Sequence, residues 1–420
     1  MDRLWGDGQL TTSANGQTLA SLDYGLEPNG QLANVSSAGL GDSAHTYGYD
    51  QQTRLTSDNS DSYSYDSASN ITQFVNQTPL TYDDASQLTA GPAGRYTYDQ
   101  QGERTTVTPG DGSAATSYAY DEAGRLNSVT GGASSLNVSY SYDGDGLLAS
   151  RNSSATTQNV WDPSTSLPML LSDGAHSYVY GPSGLPLEQI DSSGTPLFYH
   201  HDQIGSTRLL TNLAGTAVET VSFSPYGEPS VTSGTAQTPL LFAGQYTDPE
   251  TGLIYMRARW YDPQSGQFIS VDPAVAQTHA PYVYANDEPL NGIDPLGLWS
   301  WNPFSDIGEV ANAALPIVHV IASGVAIVAT ACAIATSETI VGGLTCGAIA
   351  AGAAGVTAAT GVALNAEGRE SCQNTVIDVV GAGLGGGAVL AEAKGLVNVS
   401  RILGVGGFVT SAYGQQSGGG

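Results

Sequence analysis

Two aspartates, Asp272 and Asp294, lie 22 residues apart, and each is followed by proline. Two carboxyl groups held close together cannot both ionise easily, so one keeps its proton and can polarise a carbonyl group while the other activates water. This chemistry needs no metal ion and no cofactor, and we predict neither. Asp262 and Asp287 are alternatives to Asp272 in the pair. Arg259 is the candidate cation that holds one carboxyl group ionised.

Other residues with metal-binding side chains lack the spacing of a metal site. Adjacent residues of a strand point to opposite faces, so His200 and His201 cannot act together, and no third group of ligands lies nearby. Cys332, Cys346 and Cys372 show neither a CxxC spacing nor a neighbouring histidine pair. The sequence therefore predicts no metal site.

Two Asp-Pro-x-x-Gly segments begin at Asp248 and Asp262. Proline fixes φ at the second position, and glycine tolerates a positive φ at the last position without steric strain. Both segments therefore predict hairpin turns. The residues between them, 253–261, are predicted to form one strand. Arg257 and Arg259 would then share a face of that strand, where we expect them to neutralise buried carboxylates.

Tyrosines recur at positions i and i+2, which places two rings on the same face of a strand. Six successive units carry their second tyrosine at intervals of 16 to 22 residues, and Asp and Gly follow most pairs as turn residues. This pattern predicts tandem antiparallel hairpins whose tyrosines hold the sheet together, with an aromatic sugar-binding face as the alternative. The pairs are Tyr47/Tyr49, Tyr63/Tyr65, Tyr96/Tyr98, Tyr118/Tyr120, Tyr140/Tyr142, Tyr178/Tyr180 and Tyr282/Tyr284.

The amino-acid composition favours a turn-rich sheet and argues against nucleic acid as a partner. Only 12% of residues are charged, while the chain contains 53 glycines and 22 tyrosines, which disfavours a helical bundle. The net charge is −27, and an acidic surface with a single lysine, Lys394, repels phosphate backbones. We therefore expect no nucleic-acid binding by the body of the protein. The first residues contain no apolar run and hence no signal peptide.

The motifs of residues 24–298 resemble the YD-repeat or Rhs (rearrangement hotspot) family, which has the teneurins as animal relatives. The unit Tyr-Asp-x-x-Gly-Arg-Leu occupies residues 120–126, and the stretch over 199–212 resembles the segment before the Rhs core. The core motifs follow over residues 242–263 and 266–273, and the closing motif occupies 289–298. The resemblance implies a β-sheet that spirals into a hollow shell around a toxic C-terminal polypeptide.

The closing motif also implies a reaction. In this family, Pro-x-x-x-x-Asp-Pro-x-Gly-Leu marks self-cleavage after its leucine by a pair like that of aspartic proteases. The matching residues here are Pro289, Asp294, Pro295, Gly297 and Leu298. The implied scissile bond therefore joins Leu298 to Trp299, and Asp272 is assigned from its place in the Phe-Ile-Ser-Val-Asp-Pro motif.

The predicted fold class is mainly β, with a spiralling or curved sheet of YD repeats followed by an apolar α-helical segment. Residues 1–241 are predicted to form a partial YD-repeat shell, 242–298 the Rhs core and 299–420 the C-terminal segment. Shells of the family contain many more repeats than the eight or so seen here. We therefore expect the C-terminal part of a longer protein, or a shortened relative.

The C-terminal segment contains two runs of 28 residues without Asp, Glu, Lys or Arg, one on each side of Glu338. Each run exceeds the roughly 20 residues that cross a bilayer. Residues 306–366 are therefore predicted to form two apolar helices that enter membranes after release. A linker, a translocation segment or a buried helical plug is the alternative.

We predict the C-terminal part of an Rhs-type polymorphic toxin, secreted or displayed at the cell surface by a specialised or non-classical route. Its candidate partners are its own cleaved C-terminal segment, an immunity protein, a secretion apparatus and a membrane. The alternative is a non-enzymatic adhesion protein that binds carbohydrate or a protein. An adhesion protein has no need of the closing motif.

Overall fold

The computed structural model describes residues 9–14, 17–75, 79–181, 183–298 and 300. Antiparallel strands dominate these residues, which confirms the mainly-β prediction. The described helices are short: α1 (Val275–Thr278) and the 3-10 helices Phe242–Gly244 and Ala285–Asp287. No helix within the described residues has the length and apolar character to cross a membrane. Trp299, the three cysteines and the predicted apolar helices lie outside the described residues.

Strand order within every sheet follows the order of the chain, as expected for tandem hairpins. The first sheet consists of β1 (Gln9–Ala14), β2 (Gln17–Leu26), β3 (Leu32–Ala38), β4 (His45–Tyr49), β5 (Leu55–Asp58) and β6 (Asp61–Ser62). A two-stranded sheet follows, formed by β7 (Ser64–Tyr65) and β8 (Ile71–Gln73).

Two larger sheets continue the same arrangement. The second sheet has nine strands: β9 (Thr81–Tyr82), β10 (Leu88–Gly91), β11 (Gly94–Tyr98), β12 (Arg104–Thr108), β13 (Thr116–Tyr120), β14 (Leu126–Gly131), β15 (Leu136–Tyr142), β16 (Leu148–Asn152) and β17 (Thr156–Gln158). The third has eight: β18 (Val160–Asp162), β19 (Met169–Ser172), β20 (His176–Tyr180), β21 (Pro186–Asp191), β22 (Pro196–His201), β23 (Thr207–Asn212), β24 (Ala217–Phe223) and β25 (Pro229–Gly234).

A smaller sheet of four strands follows the third sheet: β26 (Tyr246–Thr247), β27 (Ile254–Met256), β28 (Arg259–Asp262) and β29 (Gln267–Phe268). Its aromatic side chains Tyr255 and Trp260 pack with apolar side chains of the second and third sheets. This four-stranded sheet therefore completes the hydrophobic core between the repeat sheets.

Tyrosine hydroxyl groups link consecutive hairpins. The second tyrosine of four pairs donates a hydrogen bond to the main-chain carbonyl group of a leucine or isoleucine in an earlier strand, and Tyr82, whose unit has Leu80 in place of the first tyrosine, does the same. These bonds join Tyr49 to Leu32 (2.7 Å), Tyr65 to Leu55 (2.7 Å), Tyr82 to Ile71 (2.9 Å), Tyr142 to Leu126 (2.7 Å) and Tyr180 to Leu170 (2.9 Å). The rings pack in the clusters between sheets, which supports the interpretation that the tyrosines hold the sheet together.

The pair Tyr282/Tyr284 departs from the repeat pattern. Neither residue belongs to a strand, and only an isolated bridge joins Val283 to Gln267. Both rings are nevertheless buried. Their spacing thus reflects packing of a loop and does not mark another hairpin.

Both predicted Asp-Pro-x-x-Gly turns are confirmed. The turn at Asp248 joins β26 to β27, and the turn at Asp262 joins β28 to β29. A buried arginine of the second sheet holds each turn: Arg151 Nε lies 2.6 Å from Asp248 Oδ2, and Arg104 Nη1 lies 2.6 Å from Asp262 Oδ2. These two ion pairs attach the four-stranded sheet to the repeats.

The prediction of one strand over residues 253–261 is wrong. The segment forms the hairpin of β27 and β28, in which Met256 pairs with Arg259 across a two-residue turn. Arg257 adopts a positive φ of 56° at this turn, a conformation that ends the strand. Arg257 therefore belongs to the turn, whereas Arg259 begins the next strand.

Candidate active site

Arg259 lies between the two aspartates singled out from the sequence. Its Nη2 atom is 3.4 Å from Asp294 Oδ2 and 3.8 Å from Asp272 Oδ2, and all three side chains are 2% exposed. The guanidinium group also lies over the ring of Phe268, 3.6 Å from its centroid. Two carboxyl groups and one cation thus share a site from which water is largely excluded.

The turn between β27 and β28 holds the segment that precedes the predicted scissile bond. Three consecutive residues of β28 and its turn donate hydrogen bonds to three consecutive carbonyl groups of that segment. The donor and acceptor atoms are Arg257 Nη1 and Pro295 O (3.1 Å), Ala258 N and Leu296 O (3.1 Å), and Arg259 Nε and Gly297 O (2.5 Å). Main-chain groups accept all three bonds, so the chain path is fixed up to Gly297.

Gly297 fits this path because it has no side chain. Its φ is +67°, and a Cβ atom at this position would lie 2.6 Å from Met256 O. The next residue, Leu298, is buried, and its N–H group donates to Asp294 Oδ1 at 2.9 Å. Asp294 therefore contacts both Arg259 and the residue whose carbonyl group would be attacked.

Asp272 is held at the start of α1. Ala274 N donates to Asp272 Oδ1 at 2.7 Å, and Thr278 Oγ1 donates to Asp272 Oδ2 at 2.8 Å. Burial raises the pKa of Asp272 and outweighs the opposing effects of Arg259 and these hydrogen bonds. Asp272 is therefore the carboxyl group of the site that retains its proton to a higher pH than an exposed aspartate.

The two arginines differ in their partners. Burial lowers the pKa of Arg259, while its two carboxylate neighbours oppose that effect. Arg257 contacts uncharged oxygens instead: the carbonyl groups of Pro295 and Pro168 and the side chain of Gln245. The expectation of carboxylate partners thus holds for Arg259 and is wrong for Arg257, because the turn directs Arg257 toward main-chain carbonyl groups.

The alternative aspartates contact other parts of the protein. Asp262 accepts hydrogen bonds from Arg104 and Ser265. Asp287 is buried, and the charged groups that influence its pKa are Arg54, Asp50 and Asp66 of the repeats; burial raises that pKa well above its usual value.

The closing motif contains three further residues, Pro289, Leu290 and Pro295, whose surroundings the structure describes. Pro295 supplies a carbonyl acceptor to Arg257, Pro289 is buried, and Leu290 beside it packs with the cluster that contains Leu32 and Leu55. The scissile bond itself and the catalytic role of the aspartates stay predictions, since Trp299 lies outside the described residues.

Sequence analysis did not identify Thr278. Its hydroxyl group reaches Asp272 because residues 272–278 fold back through α1, whose first turn begins at the Asp272 carbonyl group. The signal in the sequence is a threonine six residues after an Asp-Pro pair, which is too weak to single out without the fold.

Comparison with known proteins adds the family context. The family model of the teneurin YD-shell matches residues 10–288. A tRNA3(Ser)-specific nuclease, WapA of Bacillus spizizenii, is 32% identical over 133 residues, which are 30% of this chain and 6% of the relative. Double-stranded DNA deaminase toxin A of Burkholderia cenocepacia is 30% identical over 162 residues, which are 33% of this chain and 11% of the relative. The chain thus matches only a small part of each relative.

A solved structure has a similar fold. The crystal structure of TcdB2-TccC3 without its hypervariable C-terminal region matches with a TM-score of 0.50 and 19% sequence identity. The match covers 69% of this chain and 17% of that one. At this identity the likeness concerns the fold alone.

Proposed function

The chain belongs to the teneurin YD-shell family of YD-repeat (Rhs) proteins, and from this we propose that it is part of a polymorphic toxin that cuts itself between Leu298 and Trp299. The observation that carries the proposal is the position of Arg259 between Asp272 and Asp294, beside the segment that ends at Leu298. The toxin context is supported by relatives named as a nuclease and a deaminase toxin. A purely adhesive protein would not need such a site.

The two carboxyl groups take different roles in this proposal. Asp294 lies closer to Arg259 than Asp272 does, and a nearby cation favours the ionised form of a carboxyl group. Burial raises the pKa of Asp272, which favours its protonated form relative to that of an exposed aspartate. Asp294 is therefore the general base and Asp272 the general acid.

Hydrolysis consumes one water molecule. Asp294 takes a proton from water as the water oxygen attacks the carbonyl carbon of Leu298, and Asp272 gives its proton to the carbonyl oxygen. When the C–N bond breaks, the proton on Asp294 passes to the nitrogen of Trp299 and the new hydroxyl group returns a proton to Asp272. The products are a carboxyl group at Leu298 and an amine at Trp299, with both aspartates restored.

Intact-mass measurement of the purified protein under denaturing conditions tests the proposal. We expect two species in place of one 43.1 kDa chain, the smaller being the 122-residue C-terminal segment of about 12.5 kDa by its share of the length. Sequencing of the smaller species should begin at Trp299. A single full-length mass at neutral and mildly acidic pH would refute self-cleavage.

We further propose that residues 299–420 are the effector that cleavage releases, with the repeats holding it until then. Its partners in this proposal are the repeat region, an immunity protein, a secretion apparatus and a target membrane. The two uncharged runs on either side of Glu338 support membrane action, since each is long enough to span a bilayer and their small residues allow close helix packing.

Dye-filled vesicles of anionic and zwitterionic lipid distinguish membrane action from a linker or plug. We expect the self-cleaved protein to release dye after mild acid or denaturant frees its C-terminal segment. The matched control is the Asp294→Asn protein under the same treatment, in which the segment stays attached to the repeats. Intact vesicles with both proteins would exclude membrane action and leave the linker or plug.

A further inference from the structure

Thr278 lies beside one carboxyl oxygen of Asp272, Oδ2. Its Oγ1 atom is 2.8 Å from Asp272 Oδ2 and 3.3 Å from Ala274 O. The hydroxyl group has one hydrogen and therefore a choice of two acceptors. The side chain is partly buried at the end of α1, so the surrounding chain fixes the position of its oxygen.

The two oxygens of Asp272 are not equivalent. Oδ1 accepts the N–H group of Ala274 at 2.7 Å, whereas Oδ2 faces Arg259 Nη2 at 3.8 Å. A proton on Oδ1 would oppose the Ala274 N–H group, so Oδ2 is the oxygen that gains and loses the proton. Thr278 contacts this oxygen.

We propose that Thr278 is a positioning residue for self-cleavage, whose hydroxyl group sets the balance between the protonated and ionised forms of Asp272; this inference rests on the proposed function. When Asp272 is ionised, Thr278 donates its hydrogen to Oδ2. When Oδ2 carries the proton, the hydroxyl hydrogen turns to Ala274 O. The group keeps a hydrogen bond in both states, so the proton transfer needs no movement of heavy atoms.

The charged groups around Asp272 define what else could affect its titration. Arg259 of β28 faces it directly, and Asp294 faces it across that guanidinium group. His279, the residue after the end of α1, follows Thr278 and is exposed. A substitution confined to Thr278 leaves all three charges unchanged.

Full-length Thr278→Val and Thr278→Ser proteins test the inference. Each protein is made by cell-free synthesis, transferred to buffers of different pH, and followed by intact mass to give a cleavage rate. Valine keeps the shape of threonine but cannot donate, so the ionised form of Asp272 loses support and its pKa rises. We expect the high-pH limb of the rate profile to move upward by about one pH unit, a tenfold change in the proton equilibrium.

Serine restores the donor, so Thr278→Ser should return the limb to its wild-type position. This rescue separates the hydroxyl group from the methyl group of threonine. A Thr278→Val protein that folds and cleaves with an unshifted limb would overturn the inference. So would a Thr278→Ser protein that shifts as far as valine.

Thermal unfolding separates failure of this inference from failure of the proposed function. The measurement uses the Asp294→Asn background, in which the chain stays intact. In this background the Thr278→Val change should lower the melting temperature more at pH 8 than at pH 4. A carboxyl group whose pKa is raised in the folded state destabilises that state as the pH rises through the raised pKa. Loss of the Thr278 hydrogen bond raises the pKa of Asp272 further, so the loss of stability is larger at pH 8. Absence of wild-type cleavage together with this pH-dependent difference would refute the proposed function and leave only the effect of Thr278 on the titration of Asp272, whereas an equal loss at both pH values would refute that effect.

Discussion

Replacement of Asp294 by asparagine is expected to stop cleavage after Leu298, with a loss in rate of about 10²- to 10⁴-fold. Asparagine keeps the shape of the side chain and can retain the contact with the Leu298 N–H group. It cannot accept a proton from water, and it leaves Arg259 with one carboxylate instead of two. Intact mass after cell-free synthesis measures the effect, and circular dichroism checks that the sheets have formed.

Asp272→Asn should be equally inactive, and the double variant should lose little more than either single one, because the pair acts as a unit. The matched control is Asp287→Asn. Asp287 is as fully buried, but its charged neighbours are Arg54, Asp50 and Asp66. It should cleave at the wild-type rate. Cleavage that survives in Asp272→Asn and is lost in Asp287→Asn would reassign the second carboxyl group.

Arg151→Met is expected to reduce the free energy of unfolding by about 3–5 kcal/mol. The substitution keeps a long apolar side chain but leaves the buried carboxyl group of Asp248 without its cation. Tyr140 donates to the same oxygen at 3.0 Å and replaces only part of the lost interaction. Urea denaturation in the Asp294→Asn background measures the change without interference from cleavage.

Arg125→Met is the matched control for that experiment. Arg125 also pairs with an aspartate, Asp121, but the side chains are 31% and 24% exposed. A pair that is partly exposed to water contributes less than a buried one, and exposed pairs contribute about 0–1 kcal/mol, so the control should unfold close to the wild-type midpoint. Equal losses in both variants would show that burial of the Asp248 pair adds nothing to stability.

The sequence by itself predicted the features that depend on neighbouring residues. Alternation of tyrosines with small residues indicates strands, and the Asp and Gly after them indicate turns, because both patterns follow from local backbone geometry. The turns at Asp248 and Asp262 were predictable for the same reason, and each occurs in the structure. The closing motif over residues 289–298 indicates Asp294 and Gly297 through its resemblance to the motif of the Rhs family.

Only the tertiary structure decided which distant groups meet. The sequence favoured Asp272 from its motif and left Asp262 and Asp287 as alternatives. The fold brings Asp272 to Arg259, while Asp262 pairs with Arg104. The turn at Arg257, which interrupts the predicted strand over residues 253–261, was also not predictable from the sequence. The positive φ of Arg257 is stabilised by a contact with a residue nearly 40 positions later and not by its neighbours. Local pattern fixes the hairpins, but the active site consists of contacts between segments far apart in the chain, and their positions depend on how the sheets and loops pack together.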